Sequence, residues 1–314
     1  MKKTTRTRPV IQPVTWISPA QQAALEKEGT TAHRLASGPD GWAERLGEDV
    51  IVSFRNEPAK TELLAGLADR VKEVDWEPAR VFTRFMPTRN ADRVSPRLIR
   101  GDRDISWKTT VTEAGVRYGL DFGAGYGHGL FLDQRLNRAR LRRCRPLRVL
   151  NTFAYTCSFS VVAALAGAET VSVDLSRKSL NRGRHNFRLN GLDPEKHRFV
   201  AEDTLELLPR LAAQDRPFDA IILDPPTFSR SGNGRRWRVI DNFEALLMAA
   251  FEVAGPRCEI LLSTNCSRLD SAQLVRRARH CAKARRLNAD FTEPASPVDF
   301  PPGHGASTAW MTLR

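Results

Sequence analysis

The segment AIILDPPTF at 220–228 places one carboxylate at the end of a short apolar run. Four apolar residues lead to Asp224, and two prolines follow it. A continuous apolar run predicts a strand buried on both faces of a parallel sheet, and paired prolines can extend neither a strand nor a helix. Asp224 is therefore predicted at the carboxyl end of a central strand. Open α/β sheets bind ligands at that edge, so we expect a reaction site there.

Two further carboxylates follow short apolar runs earlier in the chain. Asp174 comes about 20 residues after a polar loop at 151–160, the spacing typical of an acceptor of ribose hydroxyls. Asp203 follows the run 198–200, where a carboxylate can accept a hydrogen bond from the exocyclic amine of adenine. Each could instead cap the following helix. Together with the polar loop and Asp224, the series predicts a nucleoside-containing cofactor beside a reaction site.

A parallel sheet is needed to bring these residues together. From Arg148 onward, short apolar runs alternate with helical stretches. That alternation predicts an α/β fold with a Rossmann-like, doubly wound sheet. The predicted strands are 148–150, 170–173, 198–200, 220–223 and 259–262, and the segments 284–291 and 308–313 are predicted to form a final hairpin.

The preceding part of the chain has a different organisation. Residues 1–17 are rich in Thr, Arg and Pro without periodicity and predict a flexible basic arm. Strand-like segments at 49–54 and 80–85, with an amphipathic segment at 60–74 between them, predict a small N-terminal α/β module. A helix opened by Ser18 and two strands within 109–120 are predicted to complete it, which gives domains at 18–118 and 119–314.

Composition favours an anionic partner. The chain of 314 residues carries 49 Lys and Arg against 36 Asp and Glu, a net charge of +13 at pH 7. Nucleic acid is the expected partner, and the alternative is a basic protein whose charge only maintains solubility. Five cysteines without a CxxC pair indicate neither a disulfide framework nor a metal site. With neither a signal peptide nor an apolar span, we expect a cytoplasmic protein.

These motifs resemble the class I S-adenosylmethionine-dependent methyltransferases, specifically the bacterial 23S ribosomal RNA group that methylates cytosine at carbon 5 or guanine at N7. The resemblance covers residues 40–314 and implies S-adenosylmethionine as cofactor and a base of structured RNA, most directly 23S rRNA, as acceptor. The residues that carry it are the segment GLFLDQR at 129–135, Asn151, Phe153, Tyr155, Thr156, Val173, Asp174, Asn190-Gly191-Leu192, Asp203 and the segment DPPTFS at 224–229.

The resemblance also implies roles for individual residues. Asp174 would hold the ribose, Asp203 the adenine, and Asp224 would lie next to the transferred methyl group. Gln134 and Arg135 would close over the cofactor, and the guanidinium of Arg135 suits the methionine carboxylate. The methionine part would be wrapped by Phe153, Tyr155 and Thr156.

One departure concerns the cofactor loop. The family usually has two glycines where this chain has Cys157 and Ser158, a change that could alter how closely the backbone approaches the cofactor. The departure keeps open a non-catalytic RNA-binding module with a vestigial cofactor pocket. A second alternative is a methyltransferase of the same fold acting on a protein or small molecule.

Cys266 is a candidate nucleophile. It follows Asn265 at the position where relatives that form 5-methylcytosine carry a cysteine. Methylation of cytosine at carbon 5 needs a thiolate to attack carbon 6 first, whereas methylation of guanine N7 needs no covalent step. The alternative is a small buried cysteine at a strand end.

Two arginine-rich segments flank the predicted site. The segment 230–238 directly follows the Asp224 motif and is predicted to bind RNA, with Arg235, Arg236 and Arg238 holding phosphate and Trp237 stacking on a base. For the seven arginines of 135–148, a phosphate-binding surface and a solvated helix face are equally compatible with the sequence.

Overall fold

The computed structural model describes residues 13–87, 95–125, 127–230 and 236–314. The chain forms two compact units: the first ends at Gly115 and also includes residues 120–128, and the second comprises residues 116–119 and 129–314. The predicted boundary after residue 118 falls inside a strand that contributes to both units, and the domain limits stay a prediction. Of the predicted basic arm, residues 1–12 lie outside the described residues, whereas Thr15–Trp16 forms an edge strand.

The first unit is built on a six-stranded sheet whose strands lie in chain order. Only β4 and β5 are parallel, and α2 connects them. The elements of this unit are β1 (Thr15–Trp16), α1 (Pro19–Lys27), β2 (Ala32–Gly38), β3 (Gly41–Leu46), β4 (Asp49–Phe54), α2 (Glu57–Val74), β5 (Arg80–Phe85), β6 (Arg97–Arg100) and β7 (Lys108–Glu113). β7 pairs with β8 (Val116–Asp121) in a separate two-stranded sheet, and only the last residues of β8 belong to this unit. Predicted strands β4 and β5 are confirmed, as is the helix capped by Ser18.

Sequence reasoning missed β2 and β3 because both contain charged residues. Arg34 and Glu44 are buried on neighbouring strands, and their Nη2 and Oε1 atoms lie 3.4 Å apart. Strands are predicted from the alternation of apolar and polar residues, which expects apolar side chains at buried positions. A buried ion pair places charged side chains there instead, so the pattern is lost.

The second unit contains a seven-stranded sheet in the order β11-β10-β9-β12-β15-β17-β16. All strands are parallel except β17, which is antiparallel to both of its neighbours. The elements are α3 (Arg135–Cys144), β9 (Arg148–Thr152), α4 (Ser158–Leu165), β10 (Glu169–Val173), α5 (Arg177–Leu189), β11 (Arg198–Val200), α6 (Thr204–Ala212), β12 (Phe218–Leu223), β13 (Phe228–Arg230), β14 (Arg236–Arg238), α7 (Val239–Phe251), β15 (Ala254–Thr264), α8 (Ser271–Ala284), β16 (Ala289–Thr292) and β17 (Ser307–Leu313). The predicted Rossmann-like fold class is confirmed.

One predicted strand begins too early. The prediction placed a strand at 284–291, but α8 continues through Ala284 and β16 starts at Ala289. The helical repeat of buried residues, which includes Leu274, Ala278 and Cys281, carries α8 up to the first residue of that segment, and residues 285–288 connect the helix to the strand.

The order of strands places a binding crevice beside β9 and β12. From β9 the chain proceeds outward through β10 and β11, whereas β12 and β15 lie on the opposite side of β9. This reversal is a topological switch point, and ligands of open α/β sheets bind outside the carboxyl ends of the strands there. Within the described residues, no helix is long and apolar enough to cross a membrane.

Candidate cofactor and reaction site

The loop that follows β9 has an unusual backbone. Phe153, Tyr155 and Cys157 have positive φ angles of 52°, 49° and 60°. This left-handed conformation costs a residue with a side chain about 1–2 kcal/mol, so surrounding contacts must hold the loop. The backbone N–H of Tyr155 donates to Asp174 Oδ2 at 2.8 Å, and Asn186 Nδ2 donates to the carbonyl oxygen of Thr156 at 2.9 Å. The loop is therefore anchored to the end of β10 and to α5.

Cys157, which stands where the resemblance implies a glycine, fills a space that α5 leaves open. Its side chain is fully buried, and a Cβ added at Gly183 would lie 2.3 Å from Cys157 Sγ. Burial raises the pKa of the Cys157 thiol to about 12, so the group stays protonated at neutral pH. The thiol acts here as a packing group against Gly183.

Asp174 joins the loop to the end of β10. Its Oδ2 accepts from Tyr155 N and its Oδ1 accepts from Ser176 N, each at 2.8 Å. The N-cap of α5 is Ser176, so the alternative that made Asp174 the helix cap is wrong. Burial raises the pKa of Asp174, and the two backbone hydrogen bonds oppose that rise. Each carboxylate oxygen has a second lone pair with which to accept from ribose hydroxyls.

Asp203 follows β11 and caps α6. Its Oδ1 accepts from Leu205 N at 2.8 Å, which confirms the capping alternative. Oδ2 accepts no hydrogen bond from any described residue. Capping therefore leaves one oxygen able to accept from an exocyclic amine.

A cleft connects these residues on one side of the switch point. It is lined by Phe153, Asp174 and Asp203, and Trp237 also forms part of its wall. The space between its walls is about 320 Å³, which includes space open to solvent. Two carboxylates beside an aromatic wall match the donors and the flat base of a nucleoside. The chain's residues thus fit the nucleoside part of S-adenosylmethionine.

Trp237 lies in β14, which pairs with β13 after the Asp224 motif. Its Nε1 donates to the carbonyl oxygen of Pro226 at 3.0 Å, and its ring centroid lies 5.5 Å from that of Phe153. Trp237 is half-buried at the cleft, whereas Arg236 and Arg238 on either side of it are exposed. Arg235 lies outside the described residues.

Asp224 directly follows β12. The pKa of its carboxyl is raised to about 6, mainly by burial and also by the Asp133 carboxylate, while hydrogen bonding with Ser263 and the Arg138 cation oppose the rise. The group is ionised at neutral pH and becomes protonated in mildly acidic solution.

Gln134 and Arg135 are buried and bonded inside the protein. Gln134 Nε2 donates to Ser263 Oγ at 2.9 Å, and the guanidinium of Arg135 forms an ion pair with the buried Asp299. The fork that the resemblance assigns to the methionine carboxylate thus already has a carboxylate partner.

Cys266 lies two residues beyond β15. Its side chain is 7% exposed and belongs to the main apolar core of the second unit. Its backbone N–H donates to Thr264 Oγ1 at 3.1 Å. The alternative of a small buried cysteine at a strand end agrees with this placement.

The arginines of 135–148 do not form one continuous surface. Arg138 and Arg148 are buried, and Arg140 Nη2 lies 2.7 Å from Glu259 Oε2. Arg142, Arg143 and Arg145, near the end of α3, are exposed. Among the residues that the structure describes, no three His, Cys, Asp or Glu side chains are grouped to hold a metal ion.

Sequence reasoning missed Asn186 and Ser263. Each acts through a buried hydrogen bond to a residue far away in the chain, and no local pattern marks such a contact. The proximity of Asn186 to the motif at 190–192 was the only signal available.

Comparisons with known proteins agree with this geometry. The family model described as S-adenosylmethionine-dependent methyltransferase matches residues 50–306. Ribosomal RNA large subunit methyltransferase I of Tolumonas auensis is 36% identical over 165 residues, which are 52% of this chain and 41% of that protein. Ribosomal RNA large subunit methyltransferase K/L of Shewanella loihica is 40% identical over 163 residues, which are 49% of this chain and 22% of that protein. The chain thus spans less than half the length of these curated relatives.

A solved structure extends the likeness to the fold of nearly the whole chain. The crystal structure of SMU.776 complexed with SAH superimposes with a TM-score of 0.80 at 23% identity, covering 94% of this chain and 78% of that one. At this identity the likeness shows a common fold.

Proposed function

Because the chain belongs to the S-adenosylmethionine-dependent methyltransferase family, we propose that it transfers a methyl group from S-adenosylmethionine to a base of large-subunit ribosomal RNA. The observation that carries this proposal is the cleft that Asp174 and Asp203 line after β10 and β11, with Asp224 following β12 on the other side of β9. The activities named for the curated relatives and the net charge of +13 support RNA as the acceptor. Action on ribosomal RNA would take place in the cytoplasm.

We assign the cofactor's parts to three strand ends. Asp174 accepts from the ribose hydroxyls and Asp203 from the adenine amine, while Trp237 and Phe153 flank the base. Tyr155 and Thr156, which lie on the anchored loop, bind the methionine part of the cofactor. Gln134 and Arg135 support this site from the protein interior. Gln134 does so through its hydrogen bond to Ser263, and Arg135 through its ion pair with Asp299.

Bound S-adenosylmethionine supplies an electrophilic methyl group on its sulfonium. The protein's task is to place the acceptor atom in line with that methyl group and to exclude water, and positioning of this kind provides a large share of a catalytic rate. Asp224 is an ionised acceptor at neutral pH, so it can hold an N–H group of the flipped-out base.

The nature of the acceptor atom depends on Cys266. A nucleophilic role requires the buried thiol to reach carbon 6 of cytosine, and guanine N7 methylation requires no thiol. A trapping experiment with RNA containing 5-fluorocytidine distinguishes the two routes. A covalent adduct that disappears in Cys266→Ala but persists in Cys144→Ala, which removes an exposed cysteine, supports the nucleophile. Absence of an adduct with the unaltered protein rejects it.

The proposal is tested with labelled S-adenosylmethionine and separate rRNA, protein and small-molecule fractions. We expect label in the rRNA fraction and about a hundredfold less with Asp224→Ala, since a misplaced acceptor can cost a rate factor of that order. Label only in protein or small molecules would replace RNA with another acceptor. Failure to bind S-adenosylmethionine would favour the non-catalytic RNA-binding module.

A further inference from the structure

A line of buried polar side chains crosses the apolar interior behind the reaction site. Trp310 Nε1 donates to Asn137 Oδ1 at 2.8 Å, Asn137 Nδ2 donates to Gln134 Oε1 at 2.9 Å, and Gln134 Nε2 donates to Ser263 Oγ at 2.9 Å. All four side chains are buried, with at most 3% exposure. They come from α3, its preceding turn, β15 and β17, so no local sequence pattern could have revealed the line.

The direction of every bond in this line is fixed by its first member. The indole of Trp310 has one N–H and can only donate. Asn137 must therefore turn its oxygen toward Trp310 and its NH₂ group toward Gln134. Gln134 must in turn present its oxygen to Asn137 and its NH₂ group to Ser263. Reversing any one of these amides would set donor against donor in a buried site, and an unsatisfied buried donor costs about 1–3 kcal/mol.

Ser263 is the end of this line. Its oxygen accepts the Gln134 proton, so its own hydroxyl proton is directed elsewhere. Hydrogen bonding with Ser263 opposes the rise that burial causes in the pKa of the Asp224 carboxyl. β12 and β15 are parallel neighbours, and Leu223 of β12 lies opposite Leu262 of β15. The residues that come next in the chain, Asp224 and Ser263, therefore lie in adjacent positions.

We propose that Trp310, Asn137, Gln134 and Ser263 form a one-directional hydrogen-bond chain whose last hydroxyl donates to the Asp224 carboxylate and positions it in its ionised form. On this proposal, Gln134 acts through Ser263 as a positioning residue that reaches the reaction site from behind. The chain holds a single orientation of the carboxylate because each link has only one satisfied arrangement. Its meaning for catalysis rests on the proposed function, but its existence does not.

Two charged groups also act on Asp224. The Asp133 carboxylate opposes its ionisation and the Arg138 guanidinium favours it. Asp133 accepts from the backbone N–H of Ala306, and Arg138 donates to the carbonyl oxygen of Phe131, each at 2.8 Å. Variants of the hydrogen-bond chain leave both charged groups unaltered, so a change in the titration of Asp224 reports on the chain.

The test is a carboxyl ¹³C NMR titration of the full-length protein without cofactor or RNA, with the Asp224 signal assigned by its loss in Asp224→Asn. We expect a midpoint of about 6 for the unaltered protein. Ser263→Ala removes the terminal donor and should raise the midpoint by on the order of one pH unit. Ser263→Thr keeps the hydroxyl and should restore it. Ser37→Ala, which removes a buried serine of the first unit, should leave the midpoint unchanged.

Trp310→Phe tests the direction of the chain. Without the indole N–H, both amides can turn over, and Ser263 can then donate to Gln134 Oε1 instead of Asp224. The midpoint should rise part of the way toward that of Ser263→Ala. If Trp310→Phe does not fold, Asn137→Ala frees Gln134 to turn over and should produce the same rise. An unchanged midpoint in Ser263→Ala, or in a folded variant at position 310 or 137, overturns the proposal. Because neither cofactor nor RNA is present, this result is independent of whether methyl transfer is found.

Discussion

At the scale of single residues, the site depends on carboxylates with different surroundings. Burial raises the pKa of both Asp174 and Asp224, but at Asp174 two backbone hydrogen bonds oppose the rise, whereas the pKa of Asp224 reaches about 6. The first is suited to steady binding of hydroxyl donors. The second changes its charge within the range of pH in which enzymes are assayed.

Replacing Asp174 should weaken cofactor binding. Asp174→Ala removes the acceptors for ribose and also the anchor of the Tyr155 backbone. A charge-assisted hydrogen bond contributes about 1.5–3 kcal/mol, so we expect Kd for S-adenosylmethionine to rise by about one to two powers of ten in calorimetry. Asp193→Ala removes an exposed carboxylate after α5 and serves as the control. Equal affinities in the two variants would contradict the assignment of the ribose site.

The raised pKa of Asp224 should appear in the pH dependence of the reaction. The ionised form is the acceptor, so kcat/KM should be level above about pH 7 and should fall roughly tenfold per unit as pH drops below about 6. Steady-state rates between about pH 5 and 8 measure this fall, the acidic limb of the pH profile. A limb with the same midpoint in Asp224→Asn would show that another group is responsible.

At the scale of elements, the loop after β9 and helix α5 compensate each other. Cys157 takes a left-handed conformation that favours glycine, and a glycine at position 183 of α5 leaves room for its sulfur. Gly183 thus accommodates the Cys157 side chain, which stands where the resemblance implies a glycine.

A double-mutant cycle tests whether Cys157 and Gly183 compensate each other. Gly183→Ala alone places a Cβ 2.3 Å from the Cys157 sulfur, and we expect the free energy of unfolding to fall by roughly 1–3 kcal/mol. In the Cys157→Gly background the same change should be neutral or stabilising, because alanine favours the helix by about 1 kcal/mol over glycine. Chemical denaturation of the four proteins gives both values. Additive effects would mean that the two positions do not interact.

The elements also show what sequence can and cannot predict. Asp174, Asp203 and Asp224 were placed correctly at strand ends because apolar runs and their polar stops are local signals. β2 and β3 were missed because buried ion pairs such as Arg34 with Glu44 interrupt those signals. The bonds of Gln134 to Ser263 and of Arg135 to Asp299 join residues far apart in the chain, so only the fold reveals that these side chains face the interior.

At the scale of the whole molecule, charge favours a polyanionic partner. The chain has a net charge of +13, yet several arginines of the segment 135–148 are buried, including Arg135, Arg138 and Arg148. The exposed cations beside the Asp224 motif are therefore of particular interest. Arg236 and Arg238 on β14 are the described members of that group.

Neutralising Arg236 and Arg238 should weaken RNA binding. Replacing both with Gln should lower the slope of log K against log salt by about 0.7–0.9 for each phosphate that is no longer neutralised. Filter binding of rRNA fragments between about 50 and 200 mM salt measures that slope. Arg142→Gln with Arg143→Gln, at the exposed end of α3, is the matched control. The same slope in all three proteins would exclude β14 from the RNA interface.

Whether this cleft methylates a base of large-subunit ribosomal RNA can be read from that RNA itself, by mass spectrometry of its nucleotides from a strain lacking the protein. We expect one base that is unmethylated in the deletion strain and is restored by the unaltered chain but not by Asp224→Ala. An identical set of methylated bases with and without the protein would show that ribosomal RNA is not its acceptor.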